Sequence, residues 1–232
     1  MKFATIVTVM RGSFLPVLCG VVAMGADGAM EMARNRQDRA ALDKAGQARQ
    51  KAARNAAGQY ETALAFSYLS EVALELRDKR QARTAAESGI AAAKAAIKLE
   101  PGNAEYHRLL GTLCGQVIPA DPMAGFQHGR CAKEEIEKAL RMNPKSALGW
   151  MSSGVGKFYL PAMFGGGVDL AMKDFQKAVA IDPKLAEGWL WIGLAHRKGN
   201  RNAEARQALQ KAKALNPERI WIQQQLEKTP AQ

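Results

Sequence analysis

The residues of this chain that could carry out chemistry are three histidines, three cysteines and one glycine-rich loop. His107, His128 and His196 are far apart in the sequence, and none has the HExxH or CxxC neighbours of a metal site. No serine, histidine and acid stand out as a nucleophilic triad. The sequence therefore predicts no catalytic residue, no metal site and no cofactor, and the protein is not expected to be an enzyme.

The glycine-rich loop reads YLPAMFGGG, from Tyr159 to Gly167. A phosphate-binding loop would need the pattern GxxxxGK[ST] after a strand, and neither feature is present at this place. We interpret the loop as an enlarged turn between two helices, because proline ends a helix and glycine adopts positive φ angles without strain. The predicted turn residues are Pro161, Phe164, Gly165, Gly166 and Gly167.

The composition of the 232-residue chain predicts an all-helical protein, because Ala, Leu, Lys, Arg, Glu and Gln dominate and only 6% of residues are aromatic. The net charge of +11 favours acidic partners or an anionic membrane surface. Residues 29–57 are basic and polar without a wide apolar stripe, so we expect a solvated leader helix or tether that suits an anionic membrane surface. Nucleic acid is not an expected partner, because no aromatic side chains accompany these charges.

Residues 1–28 have the pattern of a signal peptide. Arg11 precedes an apolar run over residues 14–24, and small residues follow; a start at Met10 would give the usual short basic region. The run is shorter than the ~20 residues of a membrane span. We therefore expect an exported, periplasmic protein, with a membrane anchor as the alternative. A lipid-modified Cys19 is disfavoured, because the residues before it are not small.

Four similar phrases each end one helix and start the next: KLEPGNAEYH, RMNPKSALGW, AIDPKLAEGW and ALNPERIW. Their prolines, which favour the first position of a helix, are Pro101, Pro144, Pro183 and Pro217. The last two are 34 residues apart. Small residues between them lie where two antiparallel helices must approach closely, and large ones lie where the space between the helices must be filled. This interval resembles a tetratricopeptide repeat at Trp189, Ile192, Gly193, Ala205, Leu209, Ala212 and Pro217.

The resemblance implies an all-α fold, a right-handed α-solenoid of about four helical hairpins with a C-terminal capping helix. The hairpins are a degenerate one at 58–101, one with a nine-residue insertion at 102–144, one with a five-residue insertion at 145–183 and a regular one at 184–217. The capping helix and tail occupy 218–232. The Pro/FGGG turn is similar to one in exported bacterial helical-repeat proteins associated with solute transporters.

Cys114 and Cys131 fall on the two helices of the hairpin at 102–144. Antiparallel packing of Gly111 against Ala132 would bring both sulfurs to the same end of that hairpin. In an oxidising compartment this favours a disulfide that closes the inserted loop. Two buried free thiols are the alternative.

The resemblance also implies a concave groove lined by the first helix of each repeat. Its predicted residues form a central apolar patch between basic residues: Arg108, Thr112, Met151, Val155, Phe158, Tyr159, Leu190, Leu194, Arg197 and Lys198. A carboxylate-clamp site is not expected, because Met151, Ser152 and Trp191 occupy places that need polar or basic groups.

The groove predicts a non-catalytic scaffold or adaptor that binds a protein or peptide with acidic ends. An exported ligand-binding accessory protein of a solute transporter is the alternative function. Phe158 and Tyr159 have an alternative role too, which is to pack beneath the inserted turn and bind nothing.

Overall fold

A computed structural model of the chain describes residues 26–231. The predicted signal peptide lies outside the described residues except for its last three positions, and Cys19 also lies outside them. Within residues 26–231 there are eleven α-helices and no strand, which confirms the predicted all-α fold. Single 3-10 turns occupy Pro122–Ala124 and Ala162–Phe164. The helices are α1 (Ala26–Asn35), α2 (Arg39–Ala52), α3 (Ala56–Glu75), α4 (Lys79–Leu99), α5 (Ala104–Ala120), α6 (Gly125–Met142), α7 (Ala147–Tyr159), α8 (Val168–Ile181), α9 (Ala186–Lys198), α10 (Asn202–Leu215) and α11 (Ile220–Glu227).

Side-chain caps and prolines set the helix boundaries. Asp38, Asn55 and Asp78 each accept a hydrogen bond from the backbone N–H three residues later, at the starts of α2, α3 and α4. The four repeat prolines were expected at the first helical position, and this was wrong. Each proline instead follows the C-cap residue of a helix, and the next helix begins three residues later. Proline keeps the residue before it out of the helical region, so it ends one helix rather than starting another.

A hydrogen bond between a ring and a proline carbonyl recurs in three successive repeats. The ring belongs to the residue six positions after the proline, and in one repeat a histidine replaces the tryptophan. The pairs are Trp150 Nε1 to Pro144 O at 2.9 Å, Trp189 Nε1 to Pro183 O at 3.0 Å and His107 Nε2 to Pro101 O at 3.0 Å.

Glycines allow the paired helices to approach closely. A Cβ atom on Gly154 would lie 2.5 Å from the ring of Phe175, and one on Gly193 would lie 2.7 Å from Leu209 Cγ. Phe175 and Leu209 are fully buried in the core that α7 to α11 share. These small residues therefore let a large side chain of the second helix fill the hairpin interior.

The segment 29–57 differs from the expected solvated leader, because it forms α1 and α2 and packs on the rest of the solenoid. Met30 and Leu42 are buried. A Cβ atom on Gly46 would lie 2.8 Å from the Phe66 ring of α3. Gly46 lets that aromatic ring approach α2 closely. For this reason α2 packs tightly although it has no wide apolar stripe.

Within residues 26–231, no helix is both long and apolar enough to cross a membrane.

The two inserted turns expose large apolar side chains, since Met123 is 93% exposed, Met163 83% and Phe164 65%. Gly165 and Gly167 have φ angles of +83° and +109°, which suit glycine.

Candidate functional site

A buried cluster of five charged residues joins the two ends of the solenoid. Arg34 of α1 lies 2.7 Å from Glu71 of α3 and 2.9 Å from Glu187 of α9. Arg219, just before α11, lies 3.0 Å from Glu71 and 3.1 Å from Glu187, and it also pairs with Glu75. The Arg219 side chain is fully buried. We call these five residues the closing cluster, because they tie α1 and α3 to α9 and α11.

The closing cluster contains two guanidiniums and three carboxyls. Its net charge is therefore zero when one of the carboxyls is protonated. Burial raises the pKa of Glu75 to about 7, with Arg219 opposing the shift and Glu71 reinforcing it. Burial acts in the same direction on Glu71, but Arg34 and Arg219 outweigh it and lower the pKa of Glu71. Glu75 therefore holds a proton more readily than Glu71 does.

Polar contacts extend the junction beyond the closing cluster. Asn216 Nδ2 donates to Asn35 Oδ1 at 3.2 Å. Gln224 Nε2 donates to Gln37 Oε1 at 3.1 Å. The turn after α1 therefore contacts α11, and the last residue of α1 contacts the segment between α10 and α11.

An aromatic cluster lies beside the junction, on α7, α9 and α11. The Trp191 ring is at its centre, with ring centroids 5.5 Å from Phe158, 6.0 Å from Tyr159 and 5.9 Å from Trp221. All three pairs pack edge to face, the favourable geometry for such rings. Tyr159 remains 62% exposed. The aromatic cluster thus reaches the surface through Tyr159.

An open depression of about 310 Å³ lies against these rings. We call it the aromatic pocket, and its lining residues are Phe158, Tyr159, Leu194, Arg197, Lys198, Trp221 and Gln225.

Two cations of the aromatic pocket have neutral partners only. Arg197 donates to Gln225 O at 3.1 Å, to Gln225 Oε1 at 2.7 Å and to Thr229 Oγ1 at 3.2 Å. Lys198 Nζ donates to Phe158 O at 2.8 Å and lies 4.3 Å from the Phe158 ring centre. Burial lowers the pKa of Arg197. Neither side chain forms an ion pair with a carboxylate in the described part of the chain, so an anionic group would find an unneutralised site here.

The structure divides the predicted groove residues into three groups. Phe158, Tyr159, Leu194, Arg197 and Lys198 come together in the aromatic pocket. Leu190 is fully buried in the core, and Met151 and Val155 are half-buried.

Arg108 and Thr112 form the third group, which belongs to an internal network. Arg108 is 7% exposed, donates to Glu105 at 2.7 Å, and contacts the hydroxyls of Thr112 and Ser152 at 3.3 Å each. Arg108 and Thr112 of α5 thus both contact Ser152 of α7 and belong to the packing between these helices.

Sequence reasoning did not include Trp221 and Gln225 among the site residues. It assigned residues 218–232 to a cap, whereas α11 also forms one wall of the aromatic pocket. The signal was the tryptophan in ERIWIQQQLEK, an unusual residue for a helix that only covers a core.

The sulfurs of Cys114 and Cys131 are 2.07 Å apart and form a disulfide between α5 and α6. It closes the longer inserted loop, away from the aromatic pocket lining. Within residues 26–231, no group of three or more histidine, cysteine and acidic side chains is arranged to hold a metal ion.

A family model described as RMD1-3, regulator of microtubule dynamics protein 1-3, matches residues 26–229. Among solved structures, the tetratricopeptide-repeat protein TTC0263 of Thermus thermophilus is 18% identical with a TM-score of 0.59, over 88% of this chain and 98% of that one. YrrB, described as a tetratricopeptide-repeat protein with an unusual peptide-binding site, is 15% identical with a TM-score of 0.42, over 88% and 99%. MamA is 19% identical with a TM-score of 0.41, over 82% and 96%. The likeness to TTC0263 concerns the fold alone, and no curated protein sequence matches the chain significantly.

Proposed function

Because this chain belongs to the family described as regulator of microtubule dynamics protein 1-3 and folds as a tetratricopeptide-repeat solenoid, we propose that it is a non-catalytic scaffold that binds a partner segment in the aromatic pocket. The observation that carries the proposal is the pairing of the exposed Tyr159 ring and the aromatic rings packed around it with two cations that have only neutral partners. Aromatic and arginine side chains in such pockets carry much of the energy of protein recognition.

The chemistry of the aromatic pocket defines the segment that fits it. An apolar or aromatic side chain would pack on Tyr159 and Trp221. A carboxylate beside it, from Asp, Glu or a chain terminus, would accept hydrogen bonds from Arg197 and Lys198. Such charge-assisted bonds are about twice as strong as neutral ones. We therefore expect an anchor residue next to an acidic one.

A peptide-display selection tests this proposal. Random peptides are selected on the wild-type protein, and the dissociation constants of the enriched peptides are measured by fluorescence polarisation. The test variant is Tyr159→Ala with Lys198→Gln, and the matched control is Phe164→Ala with Lys173→Gln. Each pair replaces one exposed aromatic residue and one exposed lysine of the same region of the fold.

We expect the pocket variant to weaken binding about tenfold or more, which corresponds to roughly 1.4 kcal/mol, and the control to change it little. Circular dichroism establishes that both variants are folded. Equal affinity of the enriched peptides for the wild type and the pocket variant would refute the proposal. If the control variant loses binding instead, the binding site lies at the inserted turn and not in the aromatic pocket.

A further inference from the structure

The positive charge of the protein is concentrated on the second helices of the first two hairpins. Together, α2 and α4 carry nine Lys and Arg residues and two carboxylates. The corresponding helices of the next two hairpins, α6 and α8, carry six cations and five carboxylates. The excess is therefore a local property of this part of the solenoid.

The two basic helices meet at their starts. Arg39, at the start of α2, donates to Asp78 and to Gln81 at the start of α4, both at 2.8 Å. Five of the exposed cations of α2 and α4 lie on the outward strips of these helices, opposite the buried strips that contain Leu42 on α2 and Ala82 and Ala86 on α4. We call them the basic face: Lys44, Lys51, Arg80, Lys94 and Lys98.

Most of the cations of the basic face have no carboxylate near them in the described residues, although Arg80 is one of the charges that lower the pKa of Asp78. None of its five cations forms an ion pair in residues 26–231. The two carboxylates of these helices have other partners, since Glu87 pairs with Arg83 at 2.8 Å and Asp43 accepts a hydrogen bond from Gln47 at 2.9 Å. The basic face therefore presents a field that attracts an anionic partner.

The side chains around these cations select among anionic partners. Neither α2 nor α4 contains an aromatic residue on which nucleic-acid bases could stack. The exposed residues between the cations are polar or alanine, and the large apolar side chain that is exposed, Leu99, lies at the end of α4. A helix that lies in a bilayer surface would instead expose a large apolar face. This composition favours a partner held by charge alone.

We propose that the basic face docks an extended acidic segment of a partner protein, at a place distinct from the aromatic pocket. Arg80 and Lys98 are separated by about 27 Å along α4, at a rise of 1.5 Å per residue. An extended chain advances about 3.3 Å per residue, so about eight residues would span the basic face. The segment is therefore a short run rich in Asp and Glu.

Fluorescence polarisation with a fluorescein-labelled oligoglutamate of about ten residues tests the proposal. The test variant is Lys51→Glu, Lys94→Glu and Lys98→Glu. The control is Lys133→Glu, Lys138→Glu and Lys184→Glu, which changes the net charge equally at exposed lysines outside α2 and α4. We expect the test variant to bind at least tenfold more weakly and the control less than about threefold more weakly, with wild-type binding weakened by salt.

Equal loss in the two variants would show that net charge alone acts and would overturn the proposal, as would absence of wild-type binding at about 50 mM salt. An oligothymidine and vesicles containing phosphatidylserine serve as competing probes. If either binds the basic face more tightly than oligoglutamate does, the acidic protein segment is the wrong occupant. Peptides selected on the aromatic pocket should bind the test variant like the wild type, because none of its three substituted lysines lines that pocket, so failure here is separate from failure of the proposed function.

Discussion

Replacing Arg219 by methionine tests the role of the closing cluster. Methionine keeps most of the length and packing volume of the side chain but removes the guanidinium. Arg219 is fully buried and pairs with Glu71, Glu75 and Glu187. In the variant, three buried carboxyls share the single cation of Arg34. The substitution thus isolates the charge of Arg219 from its bulk.

The expected cost follows from leaving charges buried and unpaired. Removing one partner of a buried ion pair costs about 3–5 kcal/mol, whereas an exposed pair contributes at most about 1 kcal/mol. Arg36→Met is the matched control, because Arg36 pairs with Glu218 at the same junction but both side chains are more than half exposed. The cost of Arg219→Met should be smaller at acidic pH, because the three carboxyls can then take up protons and lose their charge.

Urea denaturation followed by circular dichroism, at about pH 5.5 and about pH 8, measures both effects. Hydrogen exchange shows where Arg219→Met destabilises the fold, since the amides of α1 and α11 should lose protection first if the junction opens. A cost of Arg219→Met below about 1 kcal/mol at pH 8, or one equal to that of Arg36→Met, would refute the assignment of stability to the closing cluster. A cost that increases toward acidic pH would refute the charge argument.

Three further predictions concern the closing cluster, the core and the disulfide. Native Glu75 keeps its proton up to about pH 7, whereas the unfolded chain releases it near pH 4.5. The free energy of unfolding of the wild type should therefore fall as the pH rises through this window, by up to about 1.4 kcal/mol per pH unit. Urea denaturation of Glu75→Gln over the same pH series should lack this slope. Gly154→Ala should destabilise the protein by about 1–2 kcal/mol, because its Cβ would overlap the buried Phe175 ring. Gly156→Ala in the same helix, with open space around it, should stabilise the protein by up to about 1 kcal/mol. A higher melting temperature for Gly154→Ala than for Gly156→Ala would contradict the packing argument. Reduction of the disulfide, whose cysteines are 17 residues apart, should cost about 3 kcal/mol in urea denaturation, and an unchanged midpoint would contradict this loop-closure account.

The repeat pattern was readable from the sequence because it depends on local geometry and on size. Close approach of two helices requires a small residue on one helix opposite a large one on the other, as with Gly193 and Leu209 or Gly154 and Phe175. The second pair is separated by five more positions than the first, because the five-residue insertion lies between its two helices. Such spacing is visible without a structure. The positions of the prolines were less readable, because a proline can both end a helix and precede one. Only the backbone distinguishes these roles.

The candidate site was readable only in part. The sequence alone indicated the helical repeats, the inserted turns and the basic charge, since these follow from spacing and composition. The resemblance to a tetratricopeptide repeat implied five residues of the aromatic pocket. The tertiary structure decided that α11 supplies Trp221, that Arg108 is internal, and that Arg34 and Arg219 meet across 185 positions of the chain. Contacts of this kind depend on the curvature accumulated over all hairpins. Small rotations between successive repeats add up, and no single repeat contains that sum.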